Sequence, residues 1–180
     1  TIEERISEAL NAYREADKTA KEIDCPAEKY IKLLLDYGYF LNSYAYYKEA
    51  LEVYLHSIQL SEETNGQNEI TASSYDNIGV VFNRLGDYDK ALIYKNKALE
   101  IRKEILGEKH PNTASSYNNI GVDYSCLKNY DEALKFHNKA LEIRKEVLGE
   151  KHTDTAESYN NIGVVYGKSE DYDNALIHLN

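Results

Sequence analysis

The sequence predicts an all-α fold, a solenoid of antiparallel helix-turn-helix hairpins, and three observations carry that reading. Residues 113–154 repeat residues 71–112 without a gap, 28 of 42 positions being identical, and residues 155–180 begin a third copy. Gly38, Gly79, Gly121 and Gly163 recur at spacings of 41, 42 and 42, and Ala50, Ala91, Ala133 and Ala175 keep the same spacing. Within one period the apolar residues return at intervals of three and four, the period of a helix rather than of a strand. Sequence repeats of this length are supersecondary units that bury their apolar faces on one another.

Taken in order, residues 1–24 read as the second helix of a preceding unit, because Ala9, Leu10 and Tyr13 lie 41 residues upstream of Ala50, Leu51 and Tyr54. Residues 29–70, 71–112 and 113–154 form full units, and 155–180 a truncated one. In the first helix of a unit, Tyr75, Ile78, Phe82 and Leu85 make one apolar stripe. Thr71, or Asn112 and Asp154 in the later copies, is the expected N-cap. Asp154 with Glu157 has the spacing of a capping box. Gly86-Asp87 ends the helix. In the second helix, Ala91, Tyr94, Ala98, Ile101 and Ile105 form one stripe and Leu92, Leu99 and Leu106 another, so two faces are expected to be buried.

A glycine in the middle of a helix costs about 1 kcal/mol relative to alanine. Gly79 recurs in phase in every unit, which marks a close approach of helices, with Ala91 and Ala98 opposite and the bulky Tyr75 and Phe82 on either side. Tyr117, Ile120-Gly121, Tyr124, Tyr130, Ala133 and Ala140, with their counterparts, resemble the tetratricopeptide (TPR) repeat. The 42-residue unit and the segment 98–112 resemble the variant found in kinesin light chains. The likeness is strong over 71–180 and weaker over 25–70, where Leu35-Asp36 replaces Asn-Asn. It implies a right-handed superhelix whose first helices line a concave groove.

Apolar residues make up 42% of the chain, and no run is long enough to span a membrane as a helix. The formal net charge is -10, and residues 1–70 carry 7 basic and 14 acidic side chains. That balance argues against nucleic acid or an anionic membrane as partner, since both require clustered Lys and Arg. Cys25 and Cys126 are too far apart in sequence to suggest a disulfide framework or a metal motif, and a reducing, cytoplasmic compartment fits them best. His110 and His152 recur with their loops, and His56, His137 and His178 fall on second helices. No metal, cofactor or catalytic motif is present, so the reading is of a protein that is not an enzyme.

The most informative polar feature is a ladder of amides. Asn77, Asn119 and Asn161 share one phase of the first helices, and Asp76, Asn118 and Asn160 the phase before. Asn is a poor residue in a helix interior, about 0.5–0.7 kcal/mol worse than Ala. Two explanations stand side by side. The amides could meet the backbone of an extended ligand, donor to acceptor, a role the resemblance implies for Asn77, Asn119 and Asn161. They could equally bond the neighbouring unit and set the superhelix. Val80, Val122 and Val164 would floor the groove, and Arg84 and Lys168 could meet acidic ligand residues. The matching face of unit 29–70 offers Lys32, Asp36, Tyr39 and Ser43, at an acidic end that would suit basic ligand groups by charge alone. Asp76, Asn118 and Asn160 stand where the family's carboxylate clamp has basic side chains, which argues against capture of a C-terminal carboxylate.

The function expected is a scaffold holding a protein or peptide in the groove of first helices. The alternatives are a sensor segment of a larger enzyme or signalling protein, and end-to-end self-association through apolar stripes near Leu176 and Leu179.

Overall fold

The computed structural model describes residues 1–23 and 25–179, and the described residues fold into nine helices with no strand. They are α1 (Ile2–Glu22), α2 (Ala27–Ser43), α3 (Tyr47–Asn65), α4 (Glu69–Arg84), α5 (Tyr88–Leu106), α6 (Pro111–Cys126), α7 (Tyr130–Leu148), α8 (Thr153–Lys168) and α9 (Tyr172–Leu179). Helices α2/α3, α4/α5, α6/α7 and α8/α9 pack as hairpins, and α1 packs on α2 as α3 packs on α4. The chain is thus a solenoid in which each helix touches its sequence neighbours. Asp24, the last residue of the expected opening segment, lies outside the described residues, as do the side chains of His178 and Leu179. Among the described residues no helix is long and apolar enough to cross a membrane.

Each hairpin turns through three residues. The middle one adopts a left-handed conformation in every unit: Ala45 (φ 64), Gly86 (φ 77), Lys128 (φ 60) and Glu170 (φ 65). The N–H of the next residue then closes on the carbonyl five back, as in Tyr46 to Leu41 (2.8 Å), Asp87 to Phe82 (3.0 Å), Asn129 to Tyr124 (2.9 Å) and Asp171 to Tyr166 (2.9 Å). This closure satisfies the carbonyls left over at the helix end.

The first helices begin earlier than the repeat frame suggests. Their N-caps are Asn68, His110 and His152, not Thr71, Asn112 and Asp154. Nδ1 of His110 accepts from the Asn112 N–H, and Nδ1 of His152 from that of Asp154, both at 3.1 Å. Asp154 is therefore inside α8, and the expected capping box with Glu157 does not form. Pro111 at the first helical position suits the early start. The threonine three residues after each cap bonds elsewhere. Thr113 donates to the Gly107 carbonyl (2.9 Å) and Thr155 to that of Gly149 (2.8 Å), tying each unit to the end of the one before.

The core matches the expected stripes at Ile78, Ile120, Ile162, Ala91, Ala98, Ala133 and Ala140, all buried. Leu85 and Ile105, at 50% and 42% exposed, are exceptions. Tyr75 and Phe82 stack on Tyr94 at 6.1 and 5.4 Å between ring centroids; Tyr124 likewise stacks on Phe136 at 5.3 Å, while Tyr117 meets that ring tilted, at 6.0 Å and 45°. The in-phase glycines do permit close approach: a Cβ on Gly79 would lie 3.2 Å from the Ala91 carbonyl oxygen. Most of the room, however, goes to a large side chain from the second helix. That Cβ would stand 2.6 Å from Lys95 Cγ, while one on Gly38 would strike the Tyr54 ring at 2.5 Å and one on Gly121 the His137 ring at 2.9 Å.

Candidate functional site: the face of the first helices

Successive first helices meet directly, α2 with α4 and α6 with α8, so the side they line is the inner side of the stack. Of the groups opposite the glycines, Lys95 reaches past its own hairpin to Asp123 of the next first helix, Tyr54 shares a core cluster with Ile78 and Val81 of α4, and His137 bonds Asn118 of its own hairpin.

Between α4 and α6 the joint is ionic. Lys95 Nζ lies 2.8 and 2.7 Å from the two Asp123 carboxylate oxygens and 3.3 Å from the Asn119 carbonyl oxygen, all in the interior. Asn83 Nδ2 donates to the same carboxylate at 2.6 Å. A buried carboxylate facing one ammonium and one amide is compensated where either charge alone would not be. A second cation, Arg102, donates to Glu69 (2.8 Å), Ser116 (2.6 Å), Ser73 (3.3 Å) and Asp76.

Between α6 and α8 the joint is neutral at its centre. Asn118 is 3% exposed, and its Oδ1 accepts from Asn161 Nδ2 (2.9 Å) while lying 3.0 Å from His137 Nδ1. An oxygen on Asn118 requires that Nδ1 carry the proton. Burial, with the Arg144 charge nearby, pulls the His137 pKa down to about 4, so the ring is neutral at pH 7. Arg144 donates to Ser158 (2.9 Å) and the Asp154 carbonyl (2.9 Å), and faces Glu157 at 3.3 Å.

The residues singled out from the sequence therefore divide. Asn118 and Asn161 bond each other across a unit boundary, Asp76 is held by Arg102, and Asn160 is exposed. The side chains of Asn77 and Asn119 are half-buried and make no hydrogen bond among the described residues. Val122 and Val164 are 38% and 41% exposed, and Val80 is half-buried. Arg84 and Lys168 are exposed, and each also reaches back one unit, to the Asn42 carbonyl (2.8 Å) and Ser125 Oγ (3.3 Å). Lys95, Arg102, Asp123, His137 and Arg144 were not singled out. The available signal was a Lys and a His in the phase of Tyr54, inside an otherwise apolar seam.

No group of three or more His, Cys, Asp or Glu among the described residues could hold a metal, and Cys25 and Cys126 are both free. His56 packs edge-on against Tyr30, with ring centroids 5.3 Å apart. Open furrows of about 530 and 820 Å³ run along α5 (Ile93, Lys97, Ile101) and α7 (Lys139, Glu142, Glu146), away from the ladder.

Solved structures share this architecture. BtubC (BKLC) from P. vanneervenii superposes with a TM-score of 0.81 at 23% identity, over 99% of this chain and 70% of its own. RapI, in its apo form, gives 0.81 at 24% identity, over 98% of this chain and 47% of its own. A Podosopora anserina protein of nearly identical, kinesin-light-chain TPR-like repeats gives 0.81 at 13%, over 98% and 84%. This chain thus spans about half the length of RapI and most of the other two. A search among curated proteins returns no match. The tetratricopeptide-repeat family model matches residues 34–104, 77–146 and 112–180, overlapping stretches that run from 34 to 180. The chain is a member of the tetratricopeptide-repeat family, a scaffold type of fold.

Proposed function

We propose that this chain is a protein-interaction scaffold whose ligand, a peptide or an extended segment of a protein, lies along the inner face of α4, α6 and α8. One observation carries the reading: Val80, Val122 and Val164 form an incompletely covered apolar row beside the unengaged amides of Asn77 and Asn119, on helices where Asn118, Asn161 and Asp123 are already held by bonds between units. A rigid row of this kind loses little entropy on binding, and free amides suit a backbone that offers one donor and one acceptor per residue. Likeness of fold adds support, since a Rap protein complexed with competence and sporulation factor superposes with a TM-score of 0.76 at 16% identity, over 98% of this chain and 48% of its own.

The test uses peptides selected from a random displayed library on the intact chain, with affinity read by fluorescence anisotropy. Asn77→Ala with Asn119→Ala removes two hydrogen bonds worth about 1 kcal/mol each, so affinity should fall about tenfold to thirtyfold with helical content unchanged. Asn161 is left out of the variant because its amide holds the α6–α8 joint. Lys97→Ala, on the outer side, should leave affinity unchanged. A double variant that binds as the parent does rejects this face as the ligand site.

A further inference from the structure

At the amino-terminal end of the same face the chemistry changes. Tyr13, Asp36, Tyr39, Phe40, Ser43 and Tyr44 line a cavity of about 310 Å³ between α1 and α2. Three of its rings are held in place by their neighbours: Tyr13 stacks on Tyr37 at 5.2 Å and 9°, meets Phe40 at 5.2 Å, and Phe40 meets Tyr44 at 4.8 Å. Tyr39, in the phase of Val80, is 69% exposed, and Tyr44 is 46% exposed. Asp36, in the phase of Asn77, is exposed and makes no ion pair among the described residues. The nearby Arg14 is engaged by Glu49 at 2.9 Å, and no bond joins Lys32 to Asp36. In α8 the corresponding positions, Asn161 and Lys168, are bonded to α6; in α2 Asp36 stands open and Ser43 donates to the Tyr39 carbonyl of its own helix (2.8 Å).

Resting on the ligand face proposed above, we infer that this cavity receives the side chain of an arginine in the bound peptide. A guanidinium is planar, matches a carboxylate with two parallel donors and stacks on aromatic faces. The cavity offers both at once, in a stretch of chain whose first 70 residues hold 14 acidic against 7 basic side chains. A carboxylate or phosphate would meet Asp36 with like charge, and an apolar side chain would leave that carboxylate without a partner.

The probe is N-acetyl-arginine N-methylamide, titrated into the intact chain and followed by two-dimensional amide NMR. The control is the citrulline analogue, of the same shape without the charge. The arginine probe should shift amides around residues 36–44 and Tyr13, the citrulline probe should not, and Asp36→Asn or Tyr39→Ala should weaken the arginine probe about fivefold each. Asn77→Ala with Asn119→Ala should leave this probe unaffected, so the cavity and the ladder fail separately. Equal shifts from both probes, shifts confined to other helices, or an Asp36→Asn variant that binds unchanged would each overturn the assignment. A lysine probe binding as tightly as arginine would also overturn it, since the site would then read charge without shape.

Discussion

Units 69–106 and 111–148 arise from nearly the same sequence, yet they join their next neighbours by different chemistry. Lys95 of the earlier unit meets Asp123. His137, one period later in the same phase, bonds Asn118 of its own hairpin, whose oxygen accepts from Asn161 of the next unit, and the residue in the phase of Asp123 is now Val165, which is buried. In unit 27–65 the position is Tyr54, facing Gly38, with Val81 in the phase of Asp123. The backbone frame tolerates an aromatic ring, an ion pair or an imidazole at one site, provided the facing first helix changes with it. The glycine phase thus fixes the space, while the pair of residues around it fixes the chemistry.

The largest effects should come from mismatching the two joints. Asp123→Val leaves the Lys95 ammonium buried without its counter-charge and should cost about 3–5 kcal/mol in urea unfolding. His137→Lys places a cation above Val165 and should cost a similar amount, and adding Val165→Asp should recover most of it by rebuilding the earlier joint one unit on. If the two changes simply add, the joints are not interchangeable pairs.

Acid should separate the joints next. His137 ordinarily titrates near 6.5 and is held near 4 in the fold. The folded state therefore binds the proton less readily than the unfolded chain. The stabilisation is complete above about pH 6.5 and declines as the pH falls towards 4, by up to about 3 kcal/mol. Unfolding free energies measured from pH 7 to pH 4 for the parent and for His137→Tyr should diverge over that window, the parent losing more. Parallel curves would show that the imidazole is not held neutral.

Glycine substitutions give the smaller contrasts. Gly38→Ala pushes a methyl group into the Tyr54 ring and should cost about 1–3 kcal/mol. Gly167→Ala, near the end of α8, meets nothing within 4 Å and should raise stability by up to about 1 kcal/mol, a gain visible in thermal melts. Equal effects would mean that the in-phase glycines do not mark tight contacts.

The hairpin frame was legible in the sequence because the units write it in the same residues: the phases of Gly79 and Ala91 recur in every full unit, that of Ala98 recurs at Ala140, and helix packing needs small residues at fixed phases. The joints were not legible, because Asn83, Lys95 and Asp123 come from three different helices and meet only when the units stack. The caps of α6 and α8 were misplaced because an imidazole acceptor such as His110 lacks the hydroxyl or carboxylate that ordinarily marks a helix start, whereas at α4 Asn68 and Thr71 both carry a capping group, three residues apart. The phase of the amide ladder is written in the sequence but its partners are not, and Asn118 and Asn77 look alike until their surroundings are known.

The decisive experiment maps a library-selected peptide onto the assigned amide spectrum of the intact chain. If the inner face of the first helices is the ligand face, the shifts should concentrate at Asn77, Val80, Asn119, Val122 and Val164. Shifts gathered along the outer furrows of α5 and α7, around Ile93, Lys97, Lys139 and Glu142, would contradict it.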